Sequence, residues 1–507
     1  MRTKQALKNA VASLLLQVVL AISGIIVPRF FTTLYGSAVN GLVSSISQFI
    51  TYLNLVEAGI STAGTVALFK PLADKDMKGT SKIMTAANKF YRQSGVIFFG
   101  LVVLLVMLYP FAVQNEIGDV SFIRTMIIVL SVSGIVDYFV LGKYRMLLMA
   151  DQRGYIISLA QIVGTVVMTA VSIVMMELEF SALSVKSVAA AIYILRSIVV
   201  VLYARSHYKG LDFKEKPNNK AFEQRWAALV HQISGMIVLN SAVVLLTLMV
   251  EKDALVVVSI YSAYSLVACS LINVISAIQS GLSAGFGQVI SMHEDEVLKK
   301  SFSTYEYIFF IIVFVAYSCM GTLLYPFITL YSADFADASL YPKWSLVLLF
   351  TLAGFLQSVR GPAQTMINAV GHYKQTQNRA LIETAINLVL SLALIKPLGI
   401  VGVLAASCAS HFYRSLDMII YNAKHITQKS LKKTLFRLFR NILAFAGVIL
   451  LGIGLIGQGN EGWISWFLTA VIVGGSSCVV FALVNFIFEP SEFKATIGRF
   501  KDVLRRG

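Results

Sequence analysis

Charge is what this sequence has least of: only 13% of its 507 residues are Asp, Glu, Lys or Arg. With 57% apolar residues and a mean hydropathy of +0.76, an ordinary soluble globule is excluded. Cysteines are few, and Cys269, Cys319, Cys408 and Cys478 show no paired spacing and no neighbouring histidine or carboxylate set. Neither a disulfide framework nor a metal site is implied. No G-x-x-x-x-G-K-[ST] phosphate loop occurs, since Gly142-Lys143-Tyr144 lacks both the upstream glycine and the hydroxyl residue. No polar stretch is long enough for a catalytic domain. These absences exclude an ATP-driven pump and an enzyme, and no cofactor is expected.

What is abundant is the apolar run. A helix needs about 20 mostly apolar residues to cross the hydrocarbon, because lipid cannot satisfy bare backbone polar groups. Fourteen such runs fill the chain, from 9–34 to 463–488, and imply an all-α, polytopic membrane protein. Arg2, Lys4 and Lys8 precede the first run like a signal peptide, but no small-residue cleavage site follows, so an uncleaved first helix is expected.

The formal net charge of +16 would suit nucleic acid, but its placement speaks against that partner. With both termini cytoplasmic, 33 of the 42 Lys and Arg residues fall on the inner side; only Arg124, Lys186, Lys252, Lys343 and Lys396 fall outside. That asymmetry is the positive-inside pattern. Inner clusters such as Lys429, Lys432, Lys433, Arg437 and Arg440 are expected to rest on anionic lipid headgroups. Phe493, Ile497, Phe500 and Leu504 repeat at helical spacing among basic residues, as an interfacial helix would.

The chain also carries a weak internal repeat. Ala58-Gly59-Ile60-Ser61 recurs as Ser280-Gly281-Leu282-Ser283, Tyr109-Pro110-Phe111 as Tyr325-Pro326-Phe327, and Arg196-Ser197 as Arg414-Ser415, at offsets of 222, 216 and 218. Six spans separate the copies, so they share one orientation, as in transporters built from parallel repeats. The expected organisation is a six-helix lobe over 1–205, a cytoplasmic linker over 206–225, a second six-helix lobe over 226–425, two additional helices over 426–488 and a cytoplasmic amphipathic tail over 489–507. Two related lobes enclose a cavity that opens to alternate sides as they rock.

Charges at a helix centre cost about 2.5 to 3.5 kcal/mol on insertion scales, so intramembrane ionisable residues are functional candidates. Arg360 lies near mid-membrane before Gly361-Pro362, with no acid one turn away; it either meets an anionic ligand or forms a structural salt bridge between the lobes. Arg29, after Pro28, either lines the cavity or snorkels to the headgroups. Arg196 either lines the cavity or pairs with Asp137. Arg414 and Asp417, one turn apart, form a structural pair. Glu57, toward the inner mouth of a span carrying Asn40, Ser44, Ser45, Gln48 and Asn54, is a candidate for gating or ion coupling, as are Asp137 and Glu383. Asp137 and Glu383 have the alternative role of bonding a neighbouring hydroxyl or amide, and His231 and His411 read as satisfied core residues.

The stretch Pro28-Arg29-Phe30-Phe31, Gly36, Asn40-Gly41-Leu42, Val56-Glu57-Ala58-Gly59-Ile60 and Phe69-Lys70-Pro71-Leu72 resembles the bacterial polysaccharide repeat-unit flippases of the multidrug, oligosaccharidyl-lipid and polysaccharide exporter superfamily. The resemblance implies a flippase in the bacterial cytoplasmic membrane that moves undecaprenyl-diphosphate-linked oligosaccharides for capsule, O-antigen, exopolysaccharide or teichoic-type polymers. It would work beside a polysaccharide polymerase and glycosyltransferases, with Arg360, Arg29 and Arg196 receiving the diphosphate in a cationic cavity, and with coupling to a proton or sodium gradient as an option. The alternatives are a lipid II flippase, an ion-coupled multidrug exporter and a non-transporting scaffold.

Overall fold

The computed structural model describes residues 2–57, 59–222, 225–291, 295–456, 462–494 and 496, and among these every long element is a helix. The chain divides into two compact units, Met1–Ser262 and Ala263–Gly507. Among the described residues, eleven helices are long and apolar enough to cross a membrane. One of them, within α1 (Arg2–Leu53), turns back at Gly36 and makes two passes. The equally long α8 (Arg225–Met249) and α14 (Ile400–His425) bring the passes to fourteen. This is a multi-pass, all-α membrane protein.

The reversal in α1 depends on one residue. Gly36 has φ 84° and ψ 163°, a conformation open to glycine and strained for a side chain. The first arm runs parallel to α6 (Gly154–Glu177), as three matched contacts show: Asn9 with the Tyr155 backbone at 2.7 Å, Ser23 with Thr169 at 2.6 Å, and Tyr35 at the Phe180 carbonyl. The second arm runs antiparallel to α3 (Met77–Ile117), with Ser45 facing Tyr109 and Glu57 facing Tyr91, both at 2.8 Å. Its polar residues are spent largely on neighbours. Asn40 donates to Ser259 at 2.8 Å and Ser45 bonds Thr247 at 2.7 Å. A Cβ on Gly41 would sit 1.7 Å from the Leu255 carbonyl oxygen, so only glycine lets the backbones close up here.

After Leu53 the helix tightens into a 3₁₀ turn, Asn54–Glu57, and passes through Gly59 at φ 89° before α2 (Ile60–Ala73) begins. The remaining first-unit helices are α4 (Val120–Val136), α5 (Gly142–Ala150) and α7 (Ala182–His207), with α8 and the start of α9 (Ala254–Ser291) closing the unit. Short polar junctions end each pass: Asp76, Asp119 and Ser181 cap α3, α4 and α7 by accepting from Gly79, Phe122 and Ser184 backbone N–H groups.

The second unit holds the rest of α9, then α10 (Asp295–Tyr331), α11 (Trp344–Val359), α12 (Gly361–Val370), α13 (Tyr373–Leu398), α14, α15 (Leu431–Ile456) and α16 (Trp463–Phe488). Phe314, Phe355, Phe445 and Phe481, with centroids 4.9 to 6.0 Å apart, lock α10, α11, α15 and α16 together. The outward faces are apolar: Ile464 is 81% exposed and Leu450 71%, a pattern that lipid and not water stabilises.

One expectation about the basic clusters needs correction. Arg437 and Arg440 do not face headgroups; they are buried against Glu306, Glu489 and Asn485. Those acids come from α10 and from the end of α16, far away in sequence, where loop-by-loop charge counting cannot see them. Of the tail, Ile497, Phe500 and Leu504 lie outside the described residues, as do the side chains of His231 and of 280–285.

Candidate functional site

In the first unit the intramembrane charges form a chain of contacts. Asp137 opens a π turn, Asp137–Leu141, inside the pass made by α4 and α5. In a uniform α-helix, residues eight apart lie about 80° away from alignment. The wider π turn removes that offset and brings Arg145 onto the face of Asp137. Arg145 Nη2 donates to Asp137 Oδ1 at 2.6 Å, and the Tyr193 hydroxyl donates to the same oxygen at 2.6 Å. Glu57 Oε1 accepts from the Tyr91 hydroxyl at 2.8 Å.

Two clefts border this chain. The first, about 220 Å³, is lined by Ser133, Gly164, Lys186, Tyr193 and Arg196 among apolar residues of α4, α6 and α7, with no acid among the described residues that line it. The Arg196 guanidinium lies 4.3 Å from the centre of the Tyr193 ring. A Cβ on Gly164 would come within 2.8 Å of Arg196 Cδ, so that glycine makes room for the arginine's stem. The Lys186 ammonium sits 4.3 Å from the centre of the Phe31 ring, two residues along from the half-buried Arg29. Two cations held by aromatic faces, with no carboxylate lining the cleft, suit an anionic ligand.

The second cleft, about 400 Å³, follows the helix break and is lined by Thr51, Asn54, Glu57, Ser61, Thr62 and Met236 together with Leu55 and Gly59. Its polar groups among the described residues are one carboxylate, one carboxamide and three hydroxyls, with no cation.

The second unit treats its charges differently. Arg360 sits between α11 and α12, where Pro362 prevents an unbroken helix, and its Nη1 donates to Glu383 Oε1 at 2.7 Å. The same carboxylate receives His411 Nδ1 at 3.2 Å and Arg414 Nε at 3.5 Å. Arg414 also donates to Asp417 at 2.9 Å, and Arg379 closes on Asp417 from α13. Arg360, Glu383, His411 and Arg414 are all buried.

Comparison with solved structures places this architecture. The chain matches the lipid II flippase MurJ in an inward closed conformation with a TM-score of 0.64, at 14% identity, over 94% of this chain and 98% of that one. It matches an inward-facing multidrug resistance MATE family transporter of the MOP superfamily with a TM-score of 0.57, at 12% identity, over 84% of this chain and 99% of that one. A mutant of the Vibrio cholerae MATE transporter VcmN gives 0.54 at 14% identity, over 84% and 98% of the two chains. This chain shares their fold. No family model matches the sequence, and no curated protein does.

Set beside the sequence-derived candidates, the structure joins Asp137 to Arg145 and Tyr193, with Arg196 against the Tyr193 ring, and bonds Glu57 to Tyr91. It joins Glu383, Arg414 and Asp417 into another, which includes the expected Arg414–Asp417 pair. Two expectations change. Arg360 is not uncompensated, because its acid comes from α13, 23 positions on and outside any helical spacing. Arg196 does not pair with Asp137, because Arg145 and Tyr193 already occupy that carboxylate. Sequence reasoning passed over Lys186, Arg145, Tyr193 and Tyr91. Arg145 lacked α-helical spacing to Asp137, and Lys186 counted as an outer-loop charge, although it lies inside α7.

Proposed function

We propose that this protein is a flippase that carries undecaprenyl-diphosphate-linked oligosaccharides across the bacterial cytoplasmic membrane for surface-polymer synthesis. The observation that carries the proposal is the acid-free Arg196–Lys186 cleft inside a MurJ-like fold. A diphosphate is the anion that such a cleft favours, and guanidinium offers its oxygens a two-pronged donor. Arg29 is assigned to the same anionic headgroup, while Arg360 is taken up by the second unit's ion-pair network and holds structure there. The prenyl tail stays in lipid while six-helix lobes over 1–205 and 226–425 rock, and both termini remain cytoplasmic. Polymerase and glycosyltransferases supply and consume the cargo.

Lipid II is the second reading, favoured by the 94% coverage in the match to a lipid II flippase. The test is transport in proteoliposomes of fluorescent lipid-linked oligosaccharide, lipid II and a cationic dye. Oligosaccharide flipping that falls about tenfold or more in Arg196→Ala supports the proposal. Flipping of lipid II alone transfers the assignment to the second reading, and export of the dye alone overturns both.

A further inference from the structure

The Glu57 cleft lies in the same unit as the cationic cleft but has the opposite chemistry. Its polar lining among the described residues is Thr51, Asn54, Glu57, Ser61 and Thr62, with no lysine or arginine among them. A phosphate is disfavoured there by the carboxylate. A bare cation is a poor match for the size: about 400 Å³ falls in the range of sites for small organic molecules, whereas one water takes only about 30 Å³. The cleft exists because the helix is interrupted, with a 3₁₀ turn over Asn54–Glu57 and then Gly59 at φ 89°. Without that break, residues 51–62 would run on as one helix. Thr62 is exposed, and the Tyr91 hydroxyl bonds only one of the two carboxylate oxygens of Glu57.

We infer that this cleft is a sugar subsite. Glu57 accepts hydroxyl hydrogens of a sugar ring, Asn54 and the threonine and serine hydroxyls exchange hydrogen bonds with its remaining oxygens, and Leu55 and Met236 meet its apolar face. One carboxylate and one carboxamide among hydroxyls are the donor and acceptor set that a polyhydroxylated ring satisfies. The inference rests on the flippase reading and divides its cargo: diphosphate at Arg196 and Lys186, sugar at Glu57. Both clefts lie within one unit, where direct contacts join Arg196, Tyr193, Asp137 and Arg145 beside the first.

The test is saturation-transfer-difference NMR on the full-length protein in nanodiscs, with methyl glucoside, methyl galactoside and methyl N-acetylglucosaminide as soluble probes free of lipid and phosphate. Wild type transfers saturation to the ring protons of at least one probe. Glu57→Gln weakens that binding about tenfold and Thr62→Val, at an exposed position where folding is not at risk, about fivefold, as loss of a charged and of a neutral hydrogen bond requires. Arg196→Ala leaves sugar binding unchanged while lowering lipid flipping about tenfold or more. Absence of saturation in wild type, or signals indifferent to both cleft variants, overturns the subsite. So does broadening of the sodium-23 resonance relieved by Glu57→Gln with no sugar signal, which would make the cleft a cation site. Lipid flipping without sugar binding sinks the subsite alone; sugar binding without lipid flipping sinks the flippase reading alone.

Discussion

The two units spend their intramembrane charges in opposite ways. In the second, Arg360, Arg414 and Arg379 meet Glu383 and Asp417 directly, within a buried set that includes His411. In the first, the Asp137–Arg145 pair is partly exposed, with side chains 22% and 33% accessible, and Arg196 and Lys186 line a cleft with no acid beside them. An ionisable residue in a membrane helix is therefore not yet a functional residue. What separates the units is whether a partner on another helix already satisfies the charge, because a buried pair holds structure while a cation facing an open cleft retains its capacity to bind.

The largest effect expected from this contrast is on stability in the second unit. Glu383→Ala removes the acid shared by Arg360, His411 and Arg414, leaving buried cations short of a partner, and should cost about 3–5 kcal/mol. Thermal unfolding in detergent, followed by size-exclusion chromatography, should show a clearly lowered midpoint. An unchanged midpoint would mean that the network contributes little and that the contrast with the first unit is false.

Next comes Arg196→Ala, which should lower flipping about tenfold or more with an unfolding midpoint close to that of wild type, since the arginine bonds no buried acid. Arg196→Lys should recover part of the rate, as an ammonium keeps the charge but loses the two-pronged geometry. Full activity in the alanine variant would move the anion site away from this cleft.

How much of this the sequence displays depends on the range of the interaction. The fourteen passes, the cap residues at Asp76 and Asp119 and the Arg414–Asp417 pair are local, set by runs and spacings within one helix or one junction. The neutralisation of Arg360 by Glu383, and of Arg437 by Glu306, joins positions 23 and 131 residues apart, and no periodicity encodes it. The Asp137–Arg145 pair is local yet hidden, because its eight-residue spacing fits only a helix containing a π turn. Glu57 was visible as a charge in a polar span, but its cleft depends on a break in the helix that no proline announces.

A smaller effect should appear on acidification. Burial alone would raise the Glu489 pKa, but the hydrogen bond from Arg437 and the charges of Arg437 and Arg440 outweigh it and hold the carboxyl below its ordinary value of 4.5. Glu492 is lowered in the same sense, chiefly by its bond from Lys433 against the opposing effect of burial. A depressed folded-state pKa contributes stability that is complete above the unfolded value and is lost as pH falls through the folded one. The unfolding midpoint should therefore hold from neutral pH down to about 4.5 and decline below it. Glu489→Gln should start lower at pH 7 and decline less. A decline in wild type that is complete above pH 5 would assign acid sensitivity to other groups.

The smallest expected effect is the most telling. Replacing Arg360 and Glu383 together, as Arg360→Met with Glu383→Leu, removes one charge of each sign and fills similar volume, while Arg414 keeps Asp417. Exchanging a buried ion pair for apolar side chains is often neutral, so stability should stay within about 2 kcal/mol of wild type and flipping should be unchanged. If the double variant folds but no longer flips its lipid, Arg360 acts on the substrate despite its partner. The second unit's buried network would then belong to the transport machinery, and the division of labour between paired and unpaired charges would fail.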